Sequence, residues 1–318
     1  MSPPCSKLPS IQRARLGPKS LASASPEAPD RLAVEPAGER LARGQCKSAR
    51  LPGVSVVGAI SQAWRYPVKS MQGLAVQSLR IGPTGIEGDR RRAIVDLATG
   101  RVMSAKRTAD LLFAHASDDT ITLPDGTLLD VDAPDIDDIL SNWLGREVTL
   151  RSAEHSRQAS YEMTFDPPDD SSEYFEIPIP DGTFLDLAPV HLVATATLDA
   201  CAGLRPDLDW SPRRFRPNLI LRAEGEAFVE DTWSGRQIAI GTAVLHVSQP
   251  TVRCAMPLRP QPALGPDEPA LGRQAELFRA LSDLNPAMPN HLGAYANVVT
   301  PGSVSVGDAV RLLDADGG

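Results

Sequence analysis

The sequence lacks the patterns that mark the common metal and dinucleotide sites. Its 318 residues include four cysteines, and no two of them form a C-x-x-C pair. The five histidines are scattered singly, without an H-E-x-x-H or H-x-H pair. Zinc knuckles, iron–sulfur clusters and histidine-paired metal sites therefore have no support in the sequence. A glycine-rich dinucleotide fingerprint is also absent.

Long apolar runs and excess positive charge are absent as well. No apolar stretch reaches the roughly 18 residues that a membrane-spanning helix requires. The 32 Lys and Arg residues against 40 Asp and Glu give a formal net charge of −8 at pH 7. Such a protein repels nucleic-acid backbones and anionic membrane surfaces. We therefore expect a soluble, cytoplasmic protein that has no membrane span and binds no nucleic acid.

The beginning of the chain differs in composition from the rest. Residues 1–50 hold nine Lys or Arg against four Asp or Glu, are rich in Pro, Ser and Ala, and show no periodic apolar pattern. A segment of this kind cannot bury a core, so we predict a disordered extension over residues 1–52. Three interpretations of this extension stay open: an organelle transit peptide, a solvated tail, or a start codon placed too far upstream. Two of the cysteines lie here, which disfavours a disulfide framework.

After residue 53, short runs rich in Val, Ile and Leu alternate with turn residues, which predicts strands. These runs are 54–60, 76–81, 93–96, 127–131, 147–150, 218–222, 237–240, 243–248, 296–300 and 309–313. Helical spacing predicts helices over 135–144, from about Thr195, and over 270–281. The sequence therefore predicts a mostly β protein with a few helices (α+β), built as a barrel or sandwich. The acidic, turn-rich segment 154–181 is the predicted break between two halves.

Lysines and arginines of this acidic chain recur beside turns. Lys69 and Ser70 follow Pro67 at a strand end, Arg90 follows a Gly-Asp turn, and residues 104–107 (SAKR) place a hydroxyl and two bases at a predicted helix start. Loop positions of this kind can be directed at a ligand by a rigid scaffold. For any one of these charges, a solvated surface position is the simpler interpretation.

The segment 214–218 (RFRPN) is more informative. Pro217 favours an extended conformation at Arg216, and on an extended chain Arg214 and Arg216 project to the same face. Two guanidinium groups side by side suit a phosphate or a carboxylate. The alternative is a salt bridge from this pair to Glu230 or Asp231.

Cys254 is the cysteine in the most plausible functional setting. It follows the predicted strand 243–248 and the break at Pro250, in a loop where a thiol beside basic groups can ionise. Strand alternation would point Arg253 away from it. An inert buried thiol is the alternative, and no histidine is marked by spacing as its base. Cys201 is predicted to be a buried apolar residue of the helix that begins near Thr195.

Seven short motifs occur in the order typical of one family. They are YPVKS (66–70), GDR (88–90), DLAPVH (186–191), RFRPN (214–218), EDTW (230–233), RC (253–254) and VGD (306–308). In these motifs the chain resembles MOSC-domain proteins with the MOSC N-terminal β-barrel domain, the family of the amidoxime-reducing components. The resemblance covers about residues 54–313. It implies a MOSC N-terminal β-barrel domain over 53–150 and a MOSC domain, itself a β-barrel with helices, over 180–314.

The resemblance also implies a cofactor and a reaction. The cofactor is the molybdenum cofactor (molybdopterin), with Cys254 as the catalytic thiolate ligand of the metal. Contacts with the cofactor are implied for Lys69, Ser70, Arg90, Arg214, Arg216 and Asn218. The implied function is a molybdenum-dependent oxidoreductase that reduces N-hydroxylated or other N-oxygenated small molecules. Because the chain has no cysteine after Cys254, a separate protein is expected to donate the electrons.

The chain departs from many relatives immediately after the metal cysteine. Residues 255–260 read AMPLRP, where many relatives have an aspartate-containing segment. This loop puts the choice of substrate in question. Two other functions stay open: a non-catalytic carrier of the cofactor or of persulfide sulfur on Cys254, and a metal-free β-barrel module that binds another phosphate ligand.

Overall fold

The structure is a computed structural model that describes residues 54–163, 174–223 and 225–313. Within these ranges the first nine strands are β1 (Val54–Arg65), β2 (Leu74–Val76), β3 (Ser78–Gly82), β4 (Gly85–Ile86), β5 (Arg92–Asp96), β6 (His115–Ala116), β7 (Thr120–Thr122), β8 (Leu128–Asp130) and β9 (Val148–Ser152). The next nine are β10 (Ser160–Met163), β11 (Phe175–Pro178), β12 (Val190–Ala194), β13 (Leu219–Ala223), β14 (Gln237–Ile240), β15 (Ala243–Val252), β16 (His291–Thr300), β17 (Gly302–Ser305) and β18 (Ala309–Leu313). The α-helices are α1 (Ile136–Leu144), α2 (Thr195–Leu204), α3 (Pro212–Phe215) and α4 (Leu277–Leu284). The predicted mostly β fold with a few helices is confirmed, and the predicted extension over residues 1–52 lies outside the described residues.

A closed barrel forms the larger part of the structure. Its seven strands run in the order β13-β12-β16-β15-β14-β18-β1, and β1 pairs again with β13 to close the barrel. Neighbours are antiparallel except β12 and β13, which are parallel. Apolar residues of these strands, such as Ile60, Leu192, Leu221 and Leu245, fill the interior. Closure leaves no free edge on the barrel.

The remaining strands of the first half form small sheets around a second core. Residues such as Met71, Ile94 and Leu112 are buried there together with Leu140 of α1. Helix α1 matches its prediction and ends at Gly145, which adopts the left-handed backbone (φ 65°) that favours glycine. Strands β1 and β3 pair with strands β13, β18 and β17 of the second half. The domain boundaries 53–150 and 180–314 stay predictions.

Strand β15 corrects the prediction of a break at Pro250. It continues through Pro250 to Val252, and the register with β16 shifts on both sides of the proline. Proline has no N–H to donate, and strands tolerate it where the ladder is interrupted. As a result, β15 carries the chain directly to Arg253 and Cys254.

Other elements differ from prediction in local ways. Helix α4 begins at Leu277 and not near residue 270, because Leu271 pairs with Gln261 in a β-bridge. Residues 104–107 form a turn, in which the N–H groups of Arg107 and Thr108 both donate to the Ser104 carbonyl, and no helix starts there. Cys201 is buried in α2, as predicted. No helix in the described part of the chain is long and apolar enough to cross a membrane.

A buried carboxyl group joins the start of α2 to a short 3₁₀ helix, Val229–Trp233. Glu230 is fully buried, and its oxygens accept hydrogen bonds from the Thr197 hydroxyl (2.6 Å) and the Ala194 N–H (3.2 Å). Burial raises the pKa of Glu230 from 4.5 to about 7, and these hydrogen bonds oppose the rise only in part. Between these two pH values the folded protein holds a proton that the unfolded chain has lost.

Stability should therefore fall as pH rises through this window, and Glu230→Gln should remove the slope. The free energy of unfolding of the variant, relative to the wild type, should grow by on the order of 3 kcal/mol between pH 5 and pH 8. Urea unfolding at several pH values measures it. The exposed Glu226→Gln is the matched control and should leave the pH profile unchanged. If the free energies of unfolding of the wild type and Glu230→Gln changed with pH in parallel, the raised pKa of Glu230 would be contradicted.

Candidate functional site

One pocket collects most of the residues that the sequence singles out. Its walls come from the segment after β1, the Gly-Asp turn, β12 and the segment before it, the segment before β13, the end of β15 with the residues that follow it, and the middle of β16. The predicted site residues that line it are Lys69, Ser70, Arg90, Arg216, Asn218 and Cys254. Arg214 is the predicted cofactor contact that does not line it.

The segment 214–218 is not extended, so the prediction that both arginines share a face is wrong. Ser211 caps a short helical turn with Pro212 at its first position, and this turn, α3, includes Arg214. Arg216 ends the turn with a left-handed backbone (φ 53°, ψ 50°). The two side chains consequently meet different neighbours.

Arg214 forms hydrogen bonds with the loop that follows Cys254. Its guanidinium is fully buried and donates to the carbonyls of Pro257 (3.1 Å) and Gly272 (2.9 Å). The carboxylate paired with it is Asp209, at 3.4 Å, so the alternative pairing with Glu230 or Asp231 is also wrong. The structure thus places Arg214 outside the pocket.

Arg90 and Arg216 both stack on the ring of Tyr66. Their guanidinium carbons lie 4.5 Å and 4.1 Å from the ring centroid. Arg90 is ion-paired with Asp89, but Nη1 and Nη2 of Arg216 are buried and have no hydrogen-bond partner among the described residues. Burial lowers the pKa of Arg216 to about 10, which still leaves it charged at neutral pH. An unpaired buried guanidinium attracts an anion.

A second cationic group surrounds Asp186, which lines the pocket. The ammonium groups of Lys69 and Lys106 both bind the carboxylate of Asp186, Lys106 at 2.9 Å, and both lie over the ring of Tyr161. Burial lowers the pKa of Lys69 to about 8, and Asp186 partly opposes this. Burial acts to raise the pKa of Asp186, yet Lys106 and Lys69 outweigh it and hold that pKa well below its usual range. One carboxylate thus pairs with two buried lysines. The group of three side chains therefore has an excess of positive charge.

Backbone strain is concentrated at this pocket. Six described residues other than glycine have positive φ, and three of them, Ser70, Arg90 and Arg216, line it. A left-handed backbone at such residues costs on the order of 1–3 kcal/mol and persists where the surroundings impose it. Strained residues of this kind cluster at ligand-binding sites.

Cys254 is a free, half-buried thiol at the pocket wall. Arg253 lines the same pocket, so the expectation that strand alternation turns it away is wrong, because β15 ends at Val252. Asn290 fixes this position from both sides, accepting from the Arg253 N–H (2.9 Å) and donating to the Arg253 carbonyl (2.8 Å). The thiol is therefore accessible within a cationic site.

Sequence reasoning missed several residues of the site. Asp186 and His191 belong to one of the seven motifs, and Arg253 adjoins Cys254, so a local signal for them existed. Tyr295 enters from β16, far along the chain, and has no such signal. Within the described ranges no cluster of three or more His, Cys, Asp or Glu side chains could hold a metal ion.

Several known proteins are similar to this chain. The mitochondrial amidoxime reducing component 2 of Rattus norvegicus is 24% identical over 306 residues, covering 81% of this chain and 84% of that protein. The mitochondrial amidoxime-reducing component 1 of Homo sapiens is 22% identical over 295 residues, covering 81% and 83%. The crystal structure of the YUAD protein from Bacillus subtilis matches with a TM-score of 0.40 and 12% identity, covering 83% of this chain and 98% of that chain.

Two family models match consecutive parts of the chain. The MOSC N-terminal beta barrel domain matches residues 57–176, and the MOSC domain matches residues 180–311. Together they include every residue of the pocket described above. The chain therefore belongs to the MOSC-domain proteins that carry the MOSC N-terminal β-barrel domain.

Proposed function

We propose that this protein is an oxidoreductase that binds a molybdenum cofactor through Cys254 and reduces N-oxygenated small molecules. The observation that carries the proposal is an accessible thiol in the same pocket as the buried, unpaired guanidinium of Arg216. The names of the relatives, amidoxime-reducing components, support the reaction. The N-oxygenated substrate, the separate electron-donor protein and the cytoplasmic location stay predictions.

The residues present fit the cofactor on two counts. A thiolate is a soft ligand of the kind that sulfur-bound metals prefer, and the described residues offer no cluster of His, Cys, Asp and Glu as further ligands. A cofactor that brings its own sulfur donors needs only one ligand from the protein. Its anionic phosphate matches the surplus of cations, since Arg216 and Lys69 both face the pocket.

Each part of the pocket has a distinct task in this proposal. When bound, the cofactor supplies two-electron chemistry at the metal. Cys254 holds the metal, while Lys69, Ser70, Arg90, Arg216 and Asn218 hold the pterin and its phosphate. Apolar side chains at the pocket wall, Phe215 and Met256, limit water at the reacting atoms. The altered loop after Cys254 supplies Met256 and so shapes the substrate side.

The thiol of Cys254 has no chemical substitute, and Cys254→Ser should abolish activity while the fold survives. A serine hydroxyl is hard and rarely ionised, so we expect at least a roughly 100-fold loss of activity. The assay is reduction of an N-hydroxylated amidine with an artificial electron donor, normalised to molybdenum content.

Cys201→Ser is the matched control for this substitution. Cys201 packs in a separate core beside Trp210 and Leu277, so a buried hydroxyl there should lower stability but leave activity per bound molybdenum near the wild-type value. Full activity of Cys254→Ser, or equal loss in both variants, would argue against Cys254 as the metal ligand.

Arg216→Ala should weaken retention of the cofactor. A hydrogen bond to a charged group contributes about 1.5–3 kcal/mol, which corresponds to a roughly 10- to 150-fold change in affinity. Molybdenum and pterin content after extensive dialysis measures it. Arg222→Ala, an exposed position on β13, is the control and should retain the cofactor. Equal retention by both variants would show that Arg216 does not hold the phosphate.

A further inference from the structure

His191 of β12 lines the pocket and has no task in the proposal above. It is buried, and its Nε2 lies 3.3 Å from Nη1 of Arg253. Its Nδ1 faces the carbonyl of Arg216 at 3.5 Å. Its backbone exchanges hydrogen bonds with Asn218, whose N–H donates to the His191 carbonyl (2.8 Å) and whose Oδ1 accepts from the His191 N–H (3.2 Å). One residue therefore contacts three residues of the site.

The partners of the ring define its protonation. A guanidinium has donors only, so a hydrogen bond between Arg253 and Nε2 requires Nε2 to be the acceptor and to carry no proton, while the carbonyls of Arg216 and Leu292 are the acceptors near the ring. The single proton of the ring then lies on Nδ1, directed at the Arg216 carbonyl. A doubly protonated ring would set two positively charged donors against each other at Arg253. Burial and the charge of Arg253 lower the pKa of His191 well below its usual range, in agreement with this geometry.

The fold makes room for this ring at one glycine. Gly293 of β16 has φ 84°, and a Cβ added there would lie 2.6 Å from Nε2 of His191. On the same strand, the ring of Tyr295 lies 5.4 Å from the imidazole between centroids. The ring is therefore held between β16 and the Arg253 segment.

Arg253 depends on this support. Its Nη1 is bound by His191 and its Nη2 donates to the carbonyl of Phe215 (2.8 Å). Its Nε is buried and has no hydrogen-bond partner among the described residues. With one hydrogen bond at each terminal nitrogen, the guanidinium has a fixed orientation, and its unpaired Nε–H is among the donors left for a ligand.

We propose that His191 is a positioning residue whose imidazole holds the guanidinium of Arg253, and with it the Cys254 segment, in the orientation that binds an anionic ligand. The inference rests on the proposed function only in identifying that ligand with the cofactor phosphate. Without this hydrogen bond, Nη1 of Arg253 is left buried and unpaired, and the guanidinium turns away from the pocket. Anion affinity should then fall more than stability does.

Calorimetric titration of the cofactor-free full chain with inorganic phosphate at pH 7 and low salt tests the role. His191→Leu removes both ring nitrogens and should weaken phosphate binding at least tenfold. His191→Gln keeps an acceptor and a donor at similar reach and should remain within about threefold of wild type. His155→Leu, at an exposed histidine, is the control and should bind phosphate as the wild type does.

The difference in phosphate affinity between the Leu and Gln variants and the tautomer of the imidazole separate positioning from a merely structural role. Nitrogen-15 NMR of the wild-type imidazole at pH 7 should show the tautomer protonated on Nδ1. Any of four results would overturn the inference. His191→Leu could bind phosphate with wild-type affinity, or the Leu and Gln variants could be weakened equally. The imidazole could be doubly protonated, or the wild type could fail to bind phosphate. Molybdenum analysis of wild-type protein from a cofactor-producing host tests the proposed function separately, since phosphate can bind in the expected pattern to a protein that never carries molybdenum.

Discussion

The charge of Arg216 is the constraint on which the site depends. Its Nη1 and Nη2 are buried with no hydrogen-bond partner among the described residues, which raises the free energy of the ligand-free protein, typically by about 1–3 kcal/mol or more for a charged group. The guanidinium is kept there by the left-handed backbone at the end of α3 and by the ring of Tyr66. Both supports act before any ligand binds. The pocket is consequently built for an anion, and the excess of cations around Asp186 acts in the same direction.

Closure of the barrel brings the parts of this pocket together. The pairing of β1 with β13 sets Trp64 against Asn218, with hydrogen bonds from the Trp64 N–H (2.7 Å) and from the Asn218 amide (3.3 Å). The first motif of the chain also meets the RFRPN motif directly, since the Tyr66 hydroxyl donates to the Pro217 carbonyl (3.1 Å) across 151 positions. Strands β15 and β16 bring Cys254 and Tyr295 to the same place. A change in barrel register would separate the thiol from the cations.

Local turn signals together with the seven ordered motifs predicted much of this site, and long-range contacts account for what they missed. Turn signals made Lys69, Ser70 and Arg90 candidates, and the resemblance to MOSC-domain proteins then implied that they contact the cofactor. The prediction that Arg214 and Arg216 project to one face was wrong, because the effect of Pro217 was given more weight than Ser211 and Pro212, which are the usual start of a helical turn. Tyr161 and Tyr295 carry no local signal, since only tertiary packing brings them to Lys69 and His191.

The central claim is that an accessible thiol and an unpaired guanidinium hold one cofactor, and its most direct test is the composition of the purified wild-type protein. The full chain should be produced in a host that makes the molybdenum cofactor, then assayed for molybdenum, for the oxidation product of the pterin and for sulfane sulfur. We expect molybdenum and pterin in equal amounts, close to one of each per chain. Sulfane sulfur on Cys254 without molybdenum would indicate a sulfur carrier, and the absence of all three would contradict the account.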